Sequence, residues 1–427
     1  MYLQKGKLNI GPIDATHGSS GKGKMADFIA NIEDLDFAIS NNSQNASHIT
    51  VFDDGTEYKF NFLPSSVAKK GVKVVIGADA VIEPKKALQE IRDWGLDETN
   101  LFIHPLVTII EQKDIDWEME NLAFLGSTMT GGGAAKANKI LRVKNFFAKD
   151  HPELSKYVTN THELVNNWLR EGRTGLAECA QGYDLSQDTI WTGLDGKVRH
   201  MYPYNTSRNI NTSSYMGFNF VAPNLVGNTI LNFRSYPIRV GDSSTAKGDF
   251  IVKMQDGSEK GVYTSEFGAD VPTTEAGVPS LSQIQKLYPE ALGVVKLGSS
   301  GPVYDDQTEL SWAEVQERAG APMSLEEKTS LTKRVRRVFD RSALQIKNST
   351  MACMPNVISI NFVNYIDHSI SGVSGKMNLG DLKAKYPKVA EYVEWVEKTQ
   401  YWAGTEHAGK VMLLGTGAKR SEIIELQ

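Results

Sequence analysis

Short apolar runs alternate along this chain with segments of helical period, and that alternation most restricts the folds open to it. Five runs are typical of buried strands: DFAIS (36–40), VKVVIGAD (72–79), GLAECAQG (175–182), NVISINFVNYI (356–366) and GKVMLLGTG (409–417). Two segments carry apolar residues at helical spacing: VIEPKKALQEIRDWGL (81–96) and PKVAEYVEWVEKTQYW (387–402). This order predicts an α/β fold with a large, mostly parallel central sheet and flanking helices.

Two β-hairpins are predicted beside this sheet. Residues 49–62 alternate on both sides of Asp54-Gly55, which is a strong hairpin signal. The second hairpin, at 249–263, lies in a stretch rich in Gly, Ser, Thr and Pro that extends from 242 to 300. We expect a single domain spanning residues 1–427, with 242–300 inserted in it as a lobe.

Composition argues against several classes of function. The chain has 46 Lys and Arg against 51 Asp and Glu, a balance that argues against a general polyanion binder and predicts no nucleic-acid partner. No apolar run approaches the roughly 20 residues that span a bilayer, and the N-terminus lacks the apolar core of a signal peptide. Two cysteines cannot build a disulfide framework. We expect a cytoplasmic protein with no membrane partner.

The segment GSSGKGK (18–24) is the strongest chemical signal. Glycines let backbone N–H groups approach phosphate oxygens, and the start of a following helix favours an anion. The spacing departs from G-x-x-x-x-G-K-[ST], so this is not the common phosphate loop. The alternative is a glycine-rich turn with solvated lysines.

Three other segments allow both a functional and a structural interpretation. His48 lies among polar residues that could fix its tautomer, or it is a structural histidine. The segment at 126–142 is a second oxyanion-binding turn or a flexible helix entry. The basic run at 331–340 is a clamp for carboxylate or phosphate, or the solvated end of a helix.

Taken in order, these segments resemble the adenylosuccinate synthetase family, which joins aspartate to C6 of a purine nucleotide. The family motifs and their counterparts are W-G-D-E-G-K-G-K and HGSSGKGK (17–24), N-N-A-G-H-T-[IV] and QNASHIT (44–50), T-T-G-R-G-I-G-P-A-Y…R and STMTGGGAAKANKILR (127–142), E-G-A-Q-G and ECAQG (178–182), Y-P-[YF]-V-T-S-S-N and YPYNTSRN (202–209), T-R-V-G and IRVG (238–241), T-T-G-R-x-R-R…W-[FL]-D and LTKRVRRVFD (331–340), and S-T-G-P-x-R-x-E and GTGAKRSE (415–422). The resemblance covers nearly the whole chain outside 242–300. It implies a P-loop-NTPase-like fold with small accessory lobes.

The resemblance also implies a set of site residues. The catalytic positions fall on Ser19, His48 and Gln181. The family positions that bind the nucleotide substrate correspond to Ser19, Asn45, Ser127, Thr128, Arg142, Gln181, Thr206 and Val240. Those that bind aspartate correspond to Thr332 and Arg334, and those that bind Mg²⁺ correspond to Ser19 and Ser47. The family positions that bind the phosphoryl donor correspond to Ser20, Gly21, Lys22, Gly23, Lys24, Arg336, Asn364, Gly415, Thr416 and Gly417. In the family, the counterpart of Arg142 reaches the partner's site, which implies a homodimer.

Two departures from the family pattern indicate different nucleotides. The family's general base, an aspartate, falls on Ser19, whose hydroxyl cannot remove the purine N1 proton and leaves room for a 2-amino group. This pattern is similar to the phage branch of the family, which uses dGMP. The family's guanine-reading T-K-L-D falls on residues 361–364, where Asn364 suits an adenine edge and Phe362 offers a stacking face.

These departures predict a ligase that uses ATP or dATP to join L-aspartate to dGMP through a 6-phosphoryl intermediate. The product would be 2-amino-2′-deoxy-N6-succinyl-adenylate. One alternative is a synthetase acting on IMP. Another is a nucleotide-binding protein that has lost catalysis along with the aspartate. What accepts the N1 proton stays open.

Overall fold

The computed structural model describes residues 1–43, 47–122, 128–143, 145–241, 249–267, 279–296, 300–329 and 334–427. Among the predicted site residues, Asn45, Ser127 and Thr332 lie outside these ranges. The α-helices are α1 Lys22–Ile32, α2 Pro84–Asp93, α3 Gln112–Asn121, α4 Gly132–Ile140, α5 Thr161–Arg170, α6 Thr212–Phe218, α7 Leu281–Leu287, α8 Trp312–Ala319, α9 Ala343–Cys353, α10 Leu379–Lys385 and α11 Pro387–Thr399. Across the described ranges, no helix combines the length and apolar character needed to cross a bilayer.

The strands are numbered in chain order. They are β1 Leu8–Asp14, β2 Phe37–Ser40, β3 His48–Val51, β4 Glu57–Phe60, β5 Lys73–Ile76, β6 Val81–Ile82, β7 Leu101–Ile103, β8 Thr108–Ile109, β9 Gly175–Glu178, β10 Ile190–Thr192, β11 Val198–His200, β12 Val226–Arg234, β13 Ile238–Arg239, β14 Phe250–Met254, β15 Glu259–Val262, β16 Ala291–Lys296, β17 Glu309–Leu310, β18 Arg337–Phe339, β19 Val357–Asn361, β20 Gly375–Met377, β21 Lys410–Gly415 and β22 Ile423–Leu426.

A ten-stranded sheet forms the centre of the molecule, in the order β20-β22-β21-β19-β12-β1-β9-β2-β5-β7. From β21 to β7 every neighbouring pair is parallel, whereas β22 is antiparallel to β21. This confirms the predicted α/β fold with a mostly parallel sheet. All five predicted strands are present, and the segment at 81–96 is shorter as a helix than predicted because its first residues form β6.

Helices cover both faces of the sheet. On one face Trp168 of α5 and Ile346 of α9 join a cluster with Ile10 and Phe37 of the strands. On the other face Met25 and Ile29 of α1 pack on Ile230 and Leu413. Fully buried apolar side chains of this size each stabilise a fold by about 2 kcal/mol. Because both faces are covered, the strands read as continuous apolar runs.

Both predicted hairpins form, and one belongs to the segment at 242–300. β3 pairs with β4 around Asp54-Gly55. β14 pairs with both β15 and β16 in an antiparallel sheet, with Val252, Val262, Ile284 and Ala291 in a small core of its own. The limits of an inserted lobe stay a prediction.

The carboxyl ends of four neighbouring strands meet at one place. Asp14 pairs with Asn232, Arg234 with Asn361, and Asn361 with Gly415. Ligands of open α/β sheets bind at this edge. The candidate site is therefore built here, where the loop at 15–21 leaves β1 and enters α1.

Candidate active site

The loop between β1 and α1 has the backbone geometry of an anion-binding turn. Gly18, Ser19 and Gly21 have φ values of 99°, 54° and 76°, in the left-handed region that glycine adopts readily. Gly21 stands directly before α1, and no side chain caps that helix. The first N–H groups of α1 therefore stay available to an anion, which the helix dipole favours.

The two loop serines have different surroundings. Ser20 is fully buried, and Asn232 Nδ2 donates to its carbonyl at 2.8 Å and to its hydroxyl at 2.7 Å. Asn361 Nδ2 donates to the same carbonyl at 2.8 Å. Ser19 is exposed, and Arg234 Nη1 donates to its carbonyl at 2.8 Å. Ser20 thus anchors the loop to the sheet, while the Ser19 side chain faces outwards.

The two lysines of the loop segment are both buried and both engaged. Lys22 Nζ lies 3.3 Å from Asp14 Oδ2, and Asp14 Oδ1 accepts from the N–H and hydroxyl of Thr16. Lys24 Nζ donates to the carbonyls of Gly417 and Glu422 at 2.7 and 2.8 Å. Burial lowers the pKa of Lys24 to about 7. Lys24 therefore ties α1 to the C-terminal segment, and Lys22 is the lysine better placed for a phosphate.

His48 lies beside the first turn of α1. A Cβ at Gly23 would stand 2.8 Å from His48 Cβ, so only glycine allows this approach. His48 Nδ1 is 3.8 Å from Glu178 Oε2, and within the described part of the chain neither ring nitrogen has a hydrogen-bond partner. The Glu178 carboxylate is itself fixed by the N–H groups of Ser65 and Ser66. A fixed carboxylate next to a buried imidazole suits proton donation to a substrate.

Gln181 follows β9 in a left-handed conformation, with φ 67°. The next residue, Gly182, is packed so closely that a Cβ would collide with the Thr16 carbonyl and stand 2.5 Å from Gly18 N. Gln181 is therefore held against the loop at 15–21. Gln181 and the loop lie together because β9, which precedes Gln181, pairs with β1, which precedes the loop.

The segments expected to hold the phosphoryl donor converge at the ends of β19 and β21. Asn361 packs on Gly415, where no Cβ would fit, and its amide stands 2.9 Å from a Cβ built on Gly21. Thr416 is buried, with its hydroxyl donating to the Val373 carbonyl at 2.6 Å. Asn364 follows in a short 3-10 helix and is half-buried.

Arg234, which sequence reasoning missed, connects the donor side to the aspartate side. Its guanidinium is buried, stacks on Phe362 with 3.8 Å to the ring centroid, and pairs with Glu327. Arg336 Nε lies 4.0 Å from the other oxygen of Glu327. The signal that could have identified Arg234 is the pair of polar residues, Asn232 and Arg234, at the end of the apolar segment that forms β12.

Val240 and Arg334 also come together in this region. Gly241 is packed so tightly that a Cβ would collide with the Val335 carbonyl, which places Val240 beside the residues at 334–336. The Arg334 N–H donates to Thr329 Oγ1 at 3.0 Å. The predicted aspartate-binding segment therefore adjoins a residue predicted to hold the nucleotide.

A second buried network lies beneath the loop and was also missed. Asp184 accepts from Tyr304 Oη and Gln345 Nε2, each at 2.5 Å, and lies 3.7 Å from His17 Nε2. Burial raises the pKa of Asp184 to about 7 and lowers that of His17 well below its ordinary value. Burial thus favours the uncharged form of both groups, which support the loop from below.

The glycine-rich turn at the start of α4 binds a carboxylate of the protein itself, that of Glu118. The N–H groups of Gly131, Gly133 and Ala134 donate to the Glu118 carboxylate at 2.8, 2.7 and 3.2 Å. These donors are therefore not free for a substrate. Thr128 and Arg142, at the two ends of this region, are both exposed.

Thr206 lies in a separate segment next to the loop after Gln181. Its N–H donates to the Leu185 carbonyl at 2.7 Å, and its hydroxyl donates to the Arg208 carbonyl at 3.2 Å. Ser47 immediately precedes β3 and is half-buried. Ser19, Gln181, Asn364 and Gly415 thus lie at or just after the carboxyl ends of strands of the central sheet, whereas Arg142 is exposed after α4. The roles of these residues stay predictions.

Comparison with known proteins agrees with this geometry. The family model for adenylosuccinate synthetase matches residues 13–148. The chain is 26% identical over 366 residues to the N6-succino-2-amino-2′-deoxyadenylate synthase of Vibrio phage phiVC8, covering 83% of this chain and 85% of the relative. It is 30% identical over 259 residues to an adenylosuccinate synthetase of Methanococcus maripaludis, covering 59% of this chain and 71% of the relative.

A solved structure resembles the chain over nearly its whole length. It is the cyanophage S-2L succinoaminodeoxyadenylate synthetase bound to dGMP and dATP, with a TM-score of 0.68 and 22% identity, covering 98% of this chain and 95% of the other. At this identity the likeness establishes the fold. Together with the relatives, it places the chain in the adenylosuccinate synthetase family.

Proposed function

We propose that this protein joins L-aspartate to C6 of dGMP, with ATP or dATP as phosphoryl donor. The donor's γ-phosphoryl group passes to O6 of guanine, and the N1 proton is lost. The aspartate amine then attacks C6, and phosphate leaves with O6. The products are N6-succino-2-amino-2′-deoxyadenylate, phosphate and the nucleoside diphosphate.

The observation that carries this proposal is the side chain of Ser19. It is small, uncharged and exposed, at the turn where the family's aspartate would face the purine. The neighbouring Ser20 is fixed by Asn232, so no rotation of the loop can place a different group there without breaking those bonds. A neutral residue at this position accommodates the 2-amino group of guanine. The name of the Vibrio phage relative, a 2-amino-2′-deoxyadenylate synthase, agrees with this assignment.

In this reaction the residues of the chain would bind the substrates and stabilise the charge that develops. Lys22 and the first N–H groups of α1 would bind the transferring phosphoryl group, where charge develops. His48, with Nδ1 towards Glu178, would donate from Nε2 to the phosphoryl oxygen. Gln181 would hold the purine next to the loop, and Arg334 the aspartate carboxylate.

Adenine is favoured as the donor base by the end of β19. Phe362 is held at φ 62° with Arg234 against one face of its ring, so the ring has a fixed orientation against which a base can stack. The Asn364 amide can both donate to and accept from an adenine edge. The cyanophage structure has dATP bound as the energy donor.

The donor atoms present fit a Mg²⁺ ion that arrives with the nucleotide. Ser19 and Ser47 offer hydroxyl oxygens, which are hard ligands of the kind Mg²⁺ prefers. The described part of the chain has no cluster of three His, Cys, Asp or Glu that could hold a metal without help. Mg²⁺ would neutralise phosphate charge, and we expect its binding to require ATP. Calorimetric titration of Mg²⁺ with and without ATP tests this.

A homodimer that shares Arg142 is also proposed. Arg142 is exposed at φ 59°, and beside it Ile140, Leu141 and Val143 are 68%, 70% and 48% exposed. Such an apolar surface at the end of α4 suits a subunit contact. Mixing Arg142→Ala and His48→Ala variants should restore activity, because each mixed dimer then contains one complete site. If the mixture stays inactive, Arg142 does not act in the partner's site.

The deciding experiment measures phosphate release that depends on aspartate and on ATP, with dGMP or IMP as acceptor. Turnover with dGMP and little with IMP is the expected result. Turnover on IMP alone would refute the proposal, and no turnover on either would favour a non-catalytic nucleotide-binding protein. Replacing ATP with GTP tests the donor assignment separately, and a GTP preference would contradict the role given to Asn364.

A further inference from the structure

A buried group of cations surrounds Asp79, just beyond the carboxyl end of β5. Lys136 Nζ lies 2.7 Å from Asp79 Oδ1, and Arg208 Nη1 lies 3.0 Å from Asp79 Oδ2. One turn further along α4, Lys139 Nζ donates to the carbonyls of Ala78 and Leu106. We call Asp79, Lys136, Lys139 and Arg208 the Asp79 cluster.

The charges of this cluster do not balance. Three cations face one carboxylate, and among the described residues no other carboxylate pairs with any of the three. The side chains of Lys136, Arg208 and Asp79 are only 11%, 4% and 14% exposed. Burial, followed by the repulsion of Arg208, lowers the pKa of Lys136 to about 8. Three cations that share one carboxylate carry a net positive charge in a poorly solvated place, which favours the binding of an anion.

The cluster lies among segments predicted to hold the nucleotide substrate. Arg208 is two residues after Thr206, and it donates to the carbonyl of Asn41, in the segment that leads to Asn45. At the start of α4, a Cβ on Gly132 would stand 2.6 Å from Ser43 Oγ, so α4 and this segment touch. The surplus positive charge therefore adjoins the acceptor site, on the opposite side of the loop from the donor segments at 361–364 and 415–417.

We propose that Lys136 binds the 5′-phosphate of the purine nucleotide substrate, with Arg208 and Lys139 supplying further positive charge. This rests on the proposed function only in requiring a nucleoside monophosphate as acceptor. The Lys136 ammonium has three N–H donors, and its ion pair with Asp79 uses one of them. The other two would donate to the phosphate. A phosphate monoester carries about −1.5 to −2 charges at neutral pH, which matches the surplus of two.

The alternative is that these ion pairs only fasten α4 to the sheet. Two substitutions separate the two roles, because Lys136→Met and Asp79→Asn break the same ion pair. Lys136→Met removes the cation, whereas Asp79→Asn keeps it and increases the surplus. A purely structural role predicts at least as much damage from Asp79→Asn, which also loses the ion pair with Arg208.

The experiment measures the dissociation constants of dGMP and deoxyguanosine by calorimetry, and their ratio isolates the contribution of the phosphate. We expect Lys136→Met to weaken dGMP binding about 10- to 100-fold and deoxyguanosine binding less than threefold. Asp79→Asn should bind dGMP at least as tightly as the wild type, and Lys136→Arg should keep most of the affinity. Thermal unfolding without ligand checks that each variant is folded.

Three outcomes would overturn the proposal: an unchanged ratio in folded Lys136→Met, a loss of dGMP affinity in Asp79→Asn as large as that in Lys136→Met, or no recovery in Lys136→Arg. If the protein binds IMP and not dGMP, the proposed function is wrong. The phosphate contact is then tested on the IMP and inosine pair by the same ratio.

Discussion

Replacing Ser19 by aspartate tests why the loop lacks an acid. The position is exposed and has φ 54°, and aspartate is one of the few residues besides glycine that adopt this conformation readily. No packed neighbour is disturbed, so we expect the free energy of unfolding to change by no more than about 0.5 kcal/mol. The larger side chain would crowd the 2-amino group of guanine and would restore a base for hypoxanthine. The ratio of kcat/KM for dGMP over IMP should therefore fall about 10- to 100-fold, or about 1.4 to 2.8 kcal/mol.

The assay follows phosphate release with each acceptor at saturating aspartate and ATP. Ser19→Asn is the matched control, because it has the size of aspartate without its charge. It should lose activity on dGMP without gaining any on IMP. A folded Ser19→Asp variant that keeps the wild-type ratio within threefold would refute this role of Ser19.

Three other predictions follow from the buried polar contacts. Asp14→Asn should destabilise the free protein by about 3 kcal/mol, because it leaves the Lys22 ammonium unpaired. Mg-ATP should then raise the Tm of this variant more than that of the wild type. An equal Tm shift would show that Lys22 does not contact phosphate. Asn232→Ala should cost about 2 to 4 kcal/mol in urea unfolding, because it removes the two hydrogen bonds from the Asn232 amide to Ser20. A KM for ATP unchanged in this variant would contradict the anchoring role. The pKa of Asp184 is about 7 in the folded protein and near 3.8 in the unfolded chain, so unfolding releases a proton and stability falls as pH rises from about 4 to about 7. Asp184→Asn should flatten this dependence, measured as the free energy of unfolding at pH 5 and pH 8. An unchanged slope would show that Asp184 does not cause the dependence.

Local patterns predicted five strands of the central sheet and missed the other five, among them the two central strands β1 and β12. β1 contains Gly11 and Pro12, and a proline normally argues against a central strand. The structure accommodates them at an irregularity in the pairing with β12, where Gly11 meets the backbone of Ile230 so closely that no Cβ would fit. Such a tolerance depends on a strand more than 200 residues away. No local window contains that information.

The candidate site shows the same division between local and long-range information. The loop at 18–24 was recognisable because its glycines and lysines are contiguous in sequence. The contacts of Ser20 were not, because its partners Asn232 and Asn361 belong to strands that come beside β1 only in the folded sheet. The commitment of Lys24 to Gly417 and Glu422 was likewise invisible, since a lysine in a glycine-rich loop reads as a phosphate ligand whatever its rotamer.

The polar residues at the carboxyl end of β12 have a consequence for how this protein can change. An apolar side chain at Asn232 or Arg234 would suit the interior of a parallel sheet, but it would release the loop carbonyl or hydroxyl that the polar side chain holds. Such a substitution would therefore lower the stability and loosen the loop at 15–21 at the same time. Engineering that seeks a more robust enzyme should leave β12 untouched and look for its gains in the surface helices.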